Sequence, residues 1–370
     1  MDVSGIFDLI TFLVVLTFFS YISRELEIRR IINEVEFYLT LFKAARDRAT
    51  QSVTRKFNEV IARAQRRVNL NIVEEKVRDL LETFAIEPEA LDPFGVVKKV
   101  KLMLRTEEAA IKNEISRVAP NADKSEVEVL TGMVEVSRGL NLLYKTINHL
   151  YIQAKKFKSY WMLLQLDALL PYIADEVKAY ESAIYALTSR VPIGDSVGPL
   201  LVALLSKELK AIPIQVDVND TTIYLTDFEG RQVLLVKAEG PGSSVGRYDE
   251  ALKRLLTTWG AAVTLVITVD AALKLEGEIS GGLAEGYGVA IGGTGVEKYG
   301  IEEVLAEYGL RPYALIIKMA SEEALSPLSK DLYDACMKAK ERVKAMILEA
   351  TKYGEAVIVI GVGNTLGVGN

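Results

Sequence analysis

The chain has 370 residues, half of them apolar and a quarter charged. That is ample for a buried core, suggests about two domains and excludes wholesale disorder. A single Cys, Cys336, excludes an intramolecular disulfide. A single His, His149, excludes His-rich zinc sites, and a formal net charge of −6 argues against a globally basic nucleic-acid binder.

Val3 to Ser23 reads VSGIFDLITFLVVLTFFSYIS and carries one charge, Asp8. At about 1.5 Å per residue a helix of this length spans the roughly 30 Å hydrocarbon layer, so residues 3–23 are expected to be a transmembrane anchor in a lipid bilayer. A cleaved signal peptide is the alternative. It needs a basic leading region and a small-residue cleavage site, and neither is present. Arg24, Arg29 and Arg30 follow the span and no Lys or Arg precedes it. The positive-inside rule then places the N-terminus outside the cell membrane and the bulk of the chain in the cytoplasm.

Residues 24–211 read as an all-helical domain. Ile28, Ile31, Val35, Tyr38, Phe42, Ala45 and Ala49 alternate spacings of three and four. The pattern slips by four and resumes at Val53, Phe57, Val60 and Ala64, a stutter in a heptad seam. Two readings fit: a coiled-coil stalk over 24–68 that pairs with another copy in a homo-oligomer, or a long helix buried in its own bundle. Further helices are expected at 71–84, 94–118, 124–158, 160–188 and 197–210. Asp92-Pro93, Ala119-Pro120-Asn121 and Val191-Pro192-Ile193-Gly194 mark breaks, and Pro171 can kink or split the helix that holds it. The run Lys155-Lys156-Phe157-Lys158-Ser159-Tyr160-Trp161 suits anionic lipid or RNA, or a solvated helix end with its aromatics turned inward. Residues 24–70 hold 11 Lys/Arg against 6 Asp/Glu, which favours a membrane-proximal role over a nucleic-acid patch.

Residues 212–370 hold most of the 26 glycines, and strand-like runs alternate with helical ones. Strands are expected at 214–218, 222–226, 232–238, 263–269, 313–318 and 356–360, with helices at 247–258, 296–308 and 327–353. The doubly apolar runs predict an α/β fold whose mixed, mostly parallel sheet is covered by helices on both faces. This half carries 15 basic and 22 acidic side chains, so no nucleic-acid partner is expected.

In such sheets ligands bind beyond the carboxyl ends of the strands. Gly240, Gly242 and Gly246 have the spacing GxGxxxG between a strand and a helix, with Ser243 and Ser244 between them. Glycines let backbone N–H groups approach a phosphate. Asp270 ends the next strand and would hold a ribose or Mg²⁺; Lys318 would offset ligand charge. The expected ligand is a nucleotide or another phosphorylated small molecule. Pro241 removes one donor, and the loop is not a P-loop. Residues 275–298 hold eight glycines in 24 residues. Asp270, Glu276 and Glu278, with Glu285 nearby, are candidate Mg²⁺ ligands. Alternatively these glycines shape tight turns around a short hairpin. The other functional class is a non-catalytic membrane scaffold working through its helices.

Four features resemble a family of uncharacterised archaeal proteins that carry a domain of unknown function. These are the N-terminal anchor, the loop AEGPGSSVGR, the block LEGE…AEGYGVAIGGTGVEKYGIEE and the segment GVGNTLGVGN. The resemblance covers essentially the whole chain and implies an archaeal membrane protein, with no activity and no residue roles attached.

Overall fold

The computed structural model describes residues 3–63, 70–85, 95–293 and 295–370. Within them lie helices α1 (Val3–Ala62), α2 (Leu70–Glu82), α3 (Val96–Val118), α4 (Lys124–Lys156), α5 (Tyr160–Ser189) and α6 (Val197–Glu208), the last preceded by a 3₁₀ turn, Gly194–Ser196. Then come β1 (Ile212–Ile214), β2 (Thr221–Phe228), β3 (Arg231–Ala238), α7 (Tyr248–Trp259), β4 (Val263–Leu273), β5 (Leu283–Tyr287), α8 (Val296–Tyr308), β6 (Arg311–Met319), α9 (Ser321–Leu325), α10 (Lys330–Ala350) and β7 (Ala356–Gly361). The chain is thus a helical region followed by a mixed sheet with helices.

By contacts the chain divides into two compact units, one of residues 1–48 and 139–178, the other of 49–138 and 179–370. The first is helical. Its α1 begins with the apolar run, whose side chains from Phe7 to Ile22 stand exposed. Among the described residues it is the one helix long and apolar enough to cross a membrane. Further along, Ile31, Val35, Phe42 and Ala45 are buried. In the second unit Ala49, Val53, Phe57 and Val60 continue this buried row. The seam residues are therefore buried within the chain itself, the arrangement of the alternative in which a long helix packs in its own bundle. Ala64 of the seam, the end of that expected stalk and the Asp92-Pro93 break lie outside the described residues. Pro171 neither splits nor ends α5, which runs unbroken around it.

The second unit is built on a seven-stranded sheet of order β1-β2-β3-β7-β4-β6-β5. β1, β2 and β3 form an antiparallel meander, β3, β7, β4 and β6 run parallel, and β5 returns antiparallel on β6. The tight turn between β2 and β3 uses Glu229 and Gly230, both at positive φ, as a twisted hairpin requires. Both faces of the sheet are covered. Leu235, Ile267, Val269, Leu315 and Val359 pack on one side with Leu201 of α6 and Cys336 and Val343 of α10. Val236, Val266, Ile358 and Ile360 pack on the other with Leu252 of α7 and Ile301 of α8. Burying the central strands on both faces is why they read as unbroken apolar runs.

The sequence missed β5 and ended β4 and β6 too early. Asp270 and Lys318 lie inside their strands, because β4 and β6 stay paired as far as Leu273 and Met319. β7 stops at Gly361, opposite Lys237 and Val269. A short central strand between longer neighbours leaves space at the carboxyl rim.

Candidate functional site

On the β3 side of β7 that space is filled by residues 362–370. Thr365 donates its backbone N–H to the Ser244 carbonyl (3.1 Å), and its Oγ1 accepts the Ser244 N–H (3.3 Å). The Asn370 Oδ1 accepts from Lys237 Nζ (2.8 Å) and from the Gly240 N–H (2.9 Å). The segment therefore folds back over the rim. Lys237 is fully buried beneath it, and burial pulls its ammonium down to about 8.

This packing fixes the role of the Gly240–Gly246 loop. A Cβ on Gly240 would overlap the Val368 carbonyl oxygen, and one on Gly242 would overlap the Glu128 carboxylate. Ser243 Oγ lies against Gly132 of α4. The N–H groups of Gly240 and Ser244 are consumed within the chain, and the Glu128 carboxylate lies against Gly242. These glycines let α4 and residues 362–370 approach closely. Glu128 itself is buried, with one carboxyl oxygen unpartnered among the described residues. Burial pushes it up to about 7, against the pull of Lys112 and Lys124.

On the β4 side two carboxyls lie within electrostatic reach of one another. Asp195, in the 3₁₀ turn before α6, accepts the Asn364 N–H through Oδ2 (2.8 Å). The turn forms because the Pro192–Gly194 break ends the preceding helix and Ser196 Oγ accepts the Ile193 N–H. Asn364 Nδ2 in turn donates to Ser243 Oγ (2.8 Å). Asp270 accepts the N–H of Ala271 (2.8 Å) through one oxygen and that of Gly292 (3.1 Å) through the other. Two residues earlier, Thr268 Oγ1 accepts the Ala290 N–H (2.9 Å), so this face of β4 carries the segment after β5.

Burial, reinforced by the charge of Asp195, pushes Asp270 up to about 7, opposed by the two backbone bonds. Asp195 stays half-exposed, yet protein crowds it closely enough for desolvation to raise its carboxyl. No cation counters either group among the described residues. Glu297, in the first turn of α8, is pushed up to about 7 by burial and by Asp249, against Lys101, Arg247 and Arg105. The Tyr248 hydroxyl donates to the Gly361 carbonyl (3.1 Å) and feels Glu297, Asp270 and Asp195, which together with burial raise it. Asp195 and Asp270, which face no cation among the described residues, suit this rim to bind a cation, or to hold a proton for acid–base work.

The remaining expected residues lie apart. Lys318 is ion-paired with Glu278, whose carboxyl is lowered mainly by that bond. Glu276 stands exposed, and Glu285 is held by Arg342. Asp270, Glu276 and Glu278 therefore do not form a metal centre. Among the described residues no three His, Cys, Asp or Glu side chains gather as one. The structural reason is that Glu278 turns outward to Lys318, whereas Asp270 is tied to Gly292. Sequence reasoning missed Asp195, Glu128 and Glu297. Only Asp195 had a usable signal, an acidic residue inside a Pro/Gly break that opens an apolar helix.

No curated protein matches the chain. Among solved structures it is similar to a proteasome-assembly chaperone homologue of Mycobacterium tuberculosis, at 15% identity and a TM-score of 0.32 over 44% of this chain and 83% of that one. It is also similar to a peptidyl-tRNA hydrolase from Acinetobacter baumannii, at 14% identity and a TM-score of 0.32 over 43% of this chain and 80% of that one. Residues 9–190 match the N-terminal domain and residues 193–369 the C-terminal domain of a protein family of unknown function, DUF1512, and the chain belongs to that family.

Proposed function

We propose that this is a membrane-tethered protein whose α/β domain binds a phosphorylated small molecule, a nucleotide among the candidates, through a divalent cation at the carboxyl rim. The observation that carries this reading is the pair Asp195, in the turn before α6, and Asp270, inside β4 beside the end of β7, with no counter-charge of their own. Mg²⁺ takes one or two carboxylates plus ligand oxygens, so such a pair needs no third protein ligand. Phosphate contact moves from the Gly240–Gly246 loop, whose Gly240 and Ser244 N–H groups are taken and whose Gly242 abuts Glu128, to the cation. Asn364 and Ser243 stand beside Asp195 as polar partners for the ligand.

Thermal unfolding of the full chain in detergent tests this with Mg²⁺ alone, ATP alone and both together. A ligand at 100 times its dissociation constant adds about 2.7 kcal/mol. The largest upward shift should come from both together and should vanish in the Asp195→Asn, Asp270→Asn variant. An equal shift from ATP without metal, or one that survives in the variant, would overturn the reading. For the tether, carbonate extraction should leave the full chain in the membrane pellet, and deletion of residues 1–23 should release it. The scaffold alternative draws on the interlocked Gly240–Gly246 loop, where glycines serve packing. It predicts no shift with any of these ligands.

A further inference from the structure

In the basic aromatic run around the turn between α4 and α5, two of the three rings do not turn inward. Phe157 is 65% exposed and Trp161 is 72% exposed. Tyr160 donates its hydroxyl to Glu27 Oε2 (2.6 Å), and the Arg24 guanidinium lies over its ring at 5.0 Å. Ser20, Ser23, Arg24, Glu27, Tyr160 and Trp161 line one open groove. The turn is thus fastened beside residues 20–27 of α1, where the apolar run ends. Lys155 is drawn toward Glu36 at 3.4 Å, while Lys156 and Lys158 are exposed beside Phe157.

We infer that this turn is a second membrane contact. Phe157 and Trp161 enter the bilayer interface, and Lys156, Lys158 and Arg24 meet anionic lipid headgroups. The inference rests on residues 3–23 filling the hydrocarbon layer, since one helical turn beyond them is headgroup depth. Continuity with that span selects a bilayer as the occupant. Trp and Tyr concentrate at this depth, and each Lys or Arg near an anionic leaflet gains about 1 kcal/mol. Glu25 is paired with Arg29, and Glu27, bonded to the neutral Tyr160 hydroxyl, offsets only one of the three charges of Arg24, Lys156 and Lys158. The consequence is orientation: a single span is free to swivel, whereas a span with an interfacial wedge beside it is not.

The test is tryptophan fluorescence of the full chain in vesicles of phosphatidylcholine and phosphatidylglycerol carrying quenchers at headgroup or mid-bilayer depth. The sequence has two tryptophans, so Trp259→Phe leaves Trp161 as the reporter. Its emission should be quenched most by the headgroup probe and shift to the red in Lys156→Glu, Lys158→Glu. A parallel reporter, Phe12→Trp in a chain with both natural tryptophans replaced by Phe, should be quenched by the mid-bilayer probe. If that reporter is quenched but Trp161 responds only to aqueous iodide, the wedge is overturned and the span stands. If Trp161 is shielded from both iodide and lipid probes, a protein contact covers it and the wedge is again overturned. If the Phe12→Trp reporter escapes the mid-bilayer probe, the span fails and the wedge with it.

Discussion

Two glycine-rich segments of this protein look alike in sequence and do opposite things. At Gly240 and Gly242 the missing Cβ is occupied by other atoms, the Val368 carbonyl and the Glu128 carboxylate. At Gly286, Gly288, Gly292, Gly293 and Gly295 a Cβ would meet nothing within 4 Å. The first segment is a packing joint. The second needs glycine for its path: Gly293 and Gly295 sit at φ 85° and 79°, a region costly for other residues. Composition alone cannot separate these uses, since both reduce to the absence of a side chain.

Gly240→Ala strikes the packing joint hardest. Its methyl would displace backbone, so we expect a loss of about 3 kcal/mol or more in denaturant unfolding. A loss below about 0.5 kcal/mol would remove the joint.

The next largest effect is on pH. Asp270, Glu128 and Glu297 hold protons up to about 7 when folded, whereas unfolded carboxyls titrate near 4. Between those values the folded state binds more protons, so stability falls as pH rises from about 4 through about 7. Thermal unfolding at pH 5 and pH 8 should show the drop. Asp270→Asn and Glu128→Gln should each flatten it, raising stability at pH 8 by on the order of 2 kcal/mol. Unchanged slopes in both variants would mean the carboxyls are solvated.

Gly293→Ala comes third, with a cost of about 1 kcal/mol from its backbone angle alone, while Gly292→Ala should be close to neutral. Equal costs at the two positions would point to a packed surface there. The smallest effect belongs to Lys318→Met. The Lys318–Glu278 pair is only partly shielded, so its loss should cost less than about 1 kcal/mol and leave ligand-induced shifts intact. A lost shift would return Lys318 to the site.

Much of the architecture was legible because it rests on local chemistry. Periodicity three-and-four marked α1, and Pro192 and Gly194 marked the break before α6. Doubly apolar runs marked β3, β4, β6 and β7 as interior strands. β5 escaped because LAEGY is short, exposed and glycine-bearing, and its only support is the edge of β6. The rim was half legible. Asp270 was found at a strand end, but Asp195 comes from a turn before α6, 75 positions earlier in the chain, and no spacing rule connects the two.

The apolar span, the helical middle and the doubly covered sheet are written in the residue pattern, because hydrophobic burial imposes a period on each element. What the polar groups do was set by how the elements pack in space. Lys318 went to Glu278, Gly242 to Glu128, and Asp270 to Gly292 and the company of Asp195. A charge or a hydrogen bond acts over a few ångströms in space, and which groups come within that reach depends on strand order and register rather than on position along the chain.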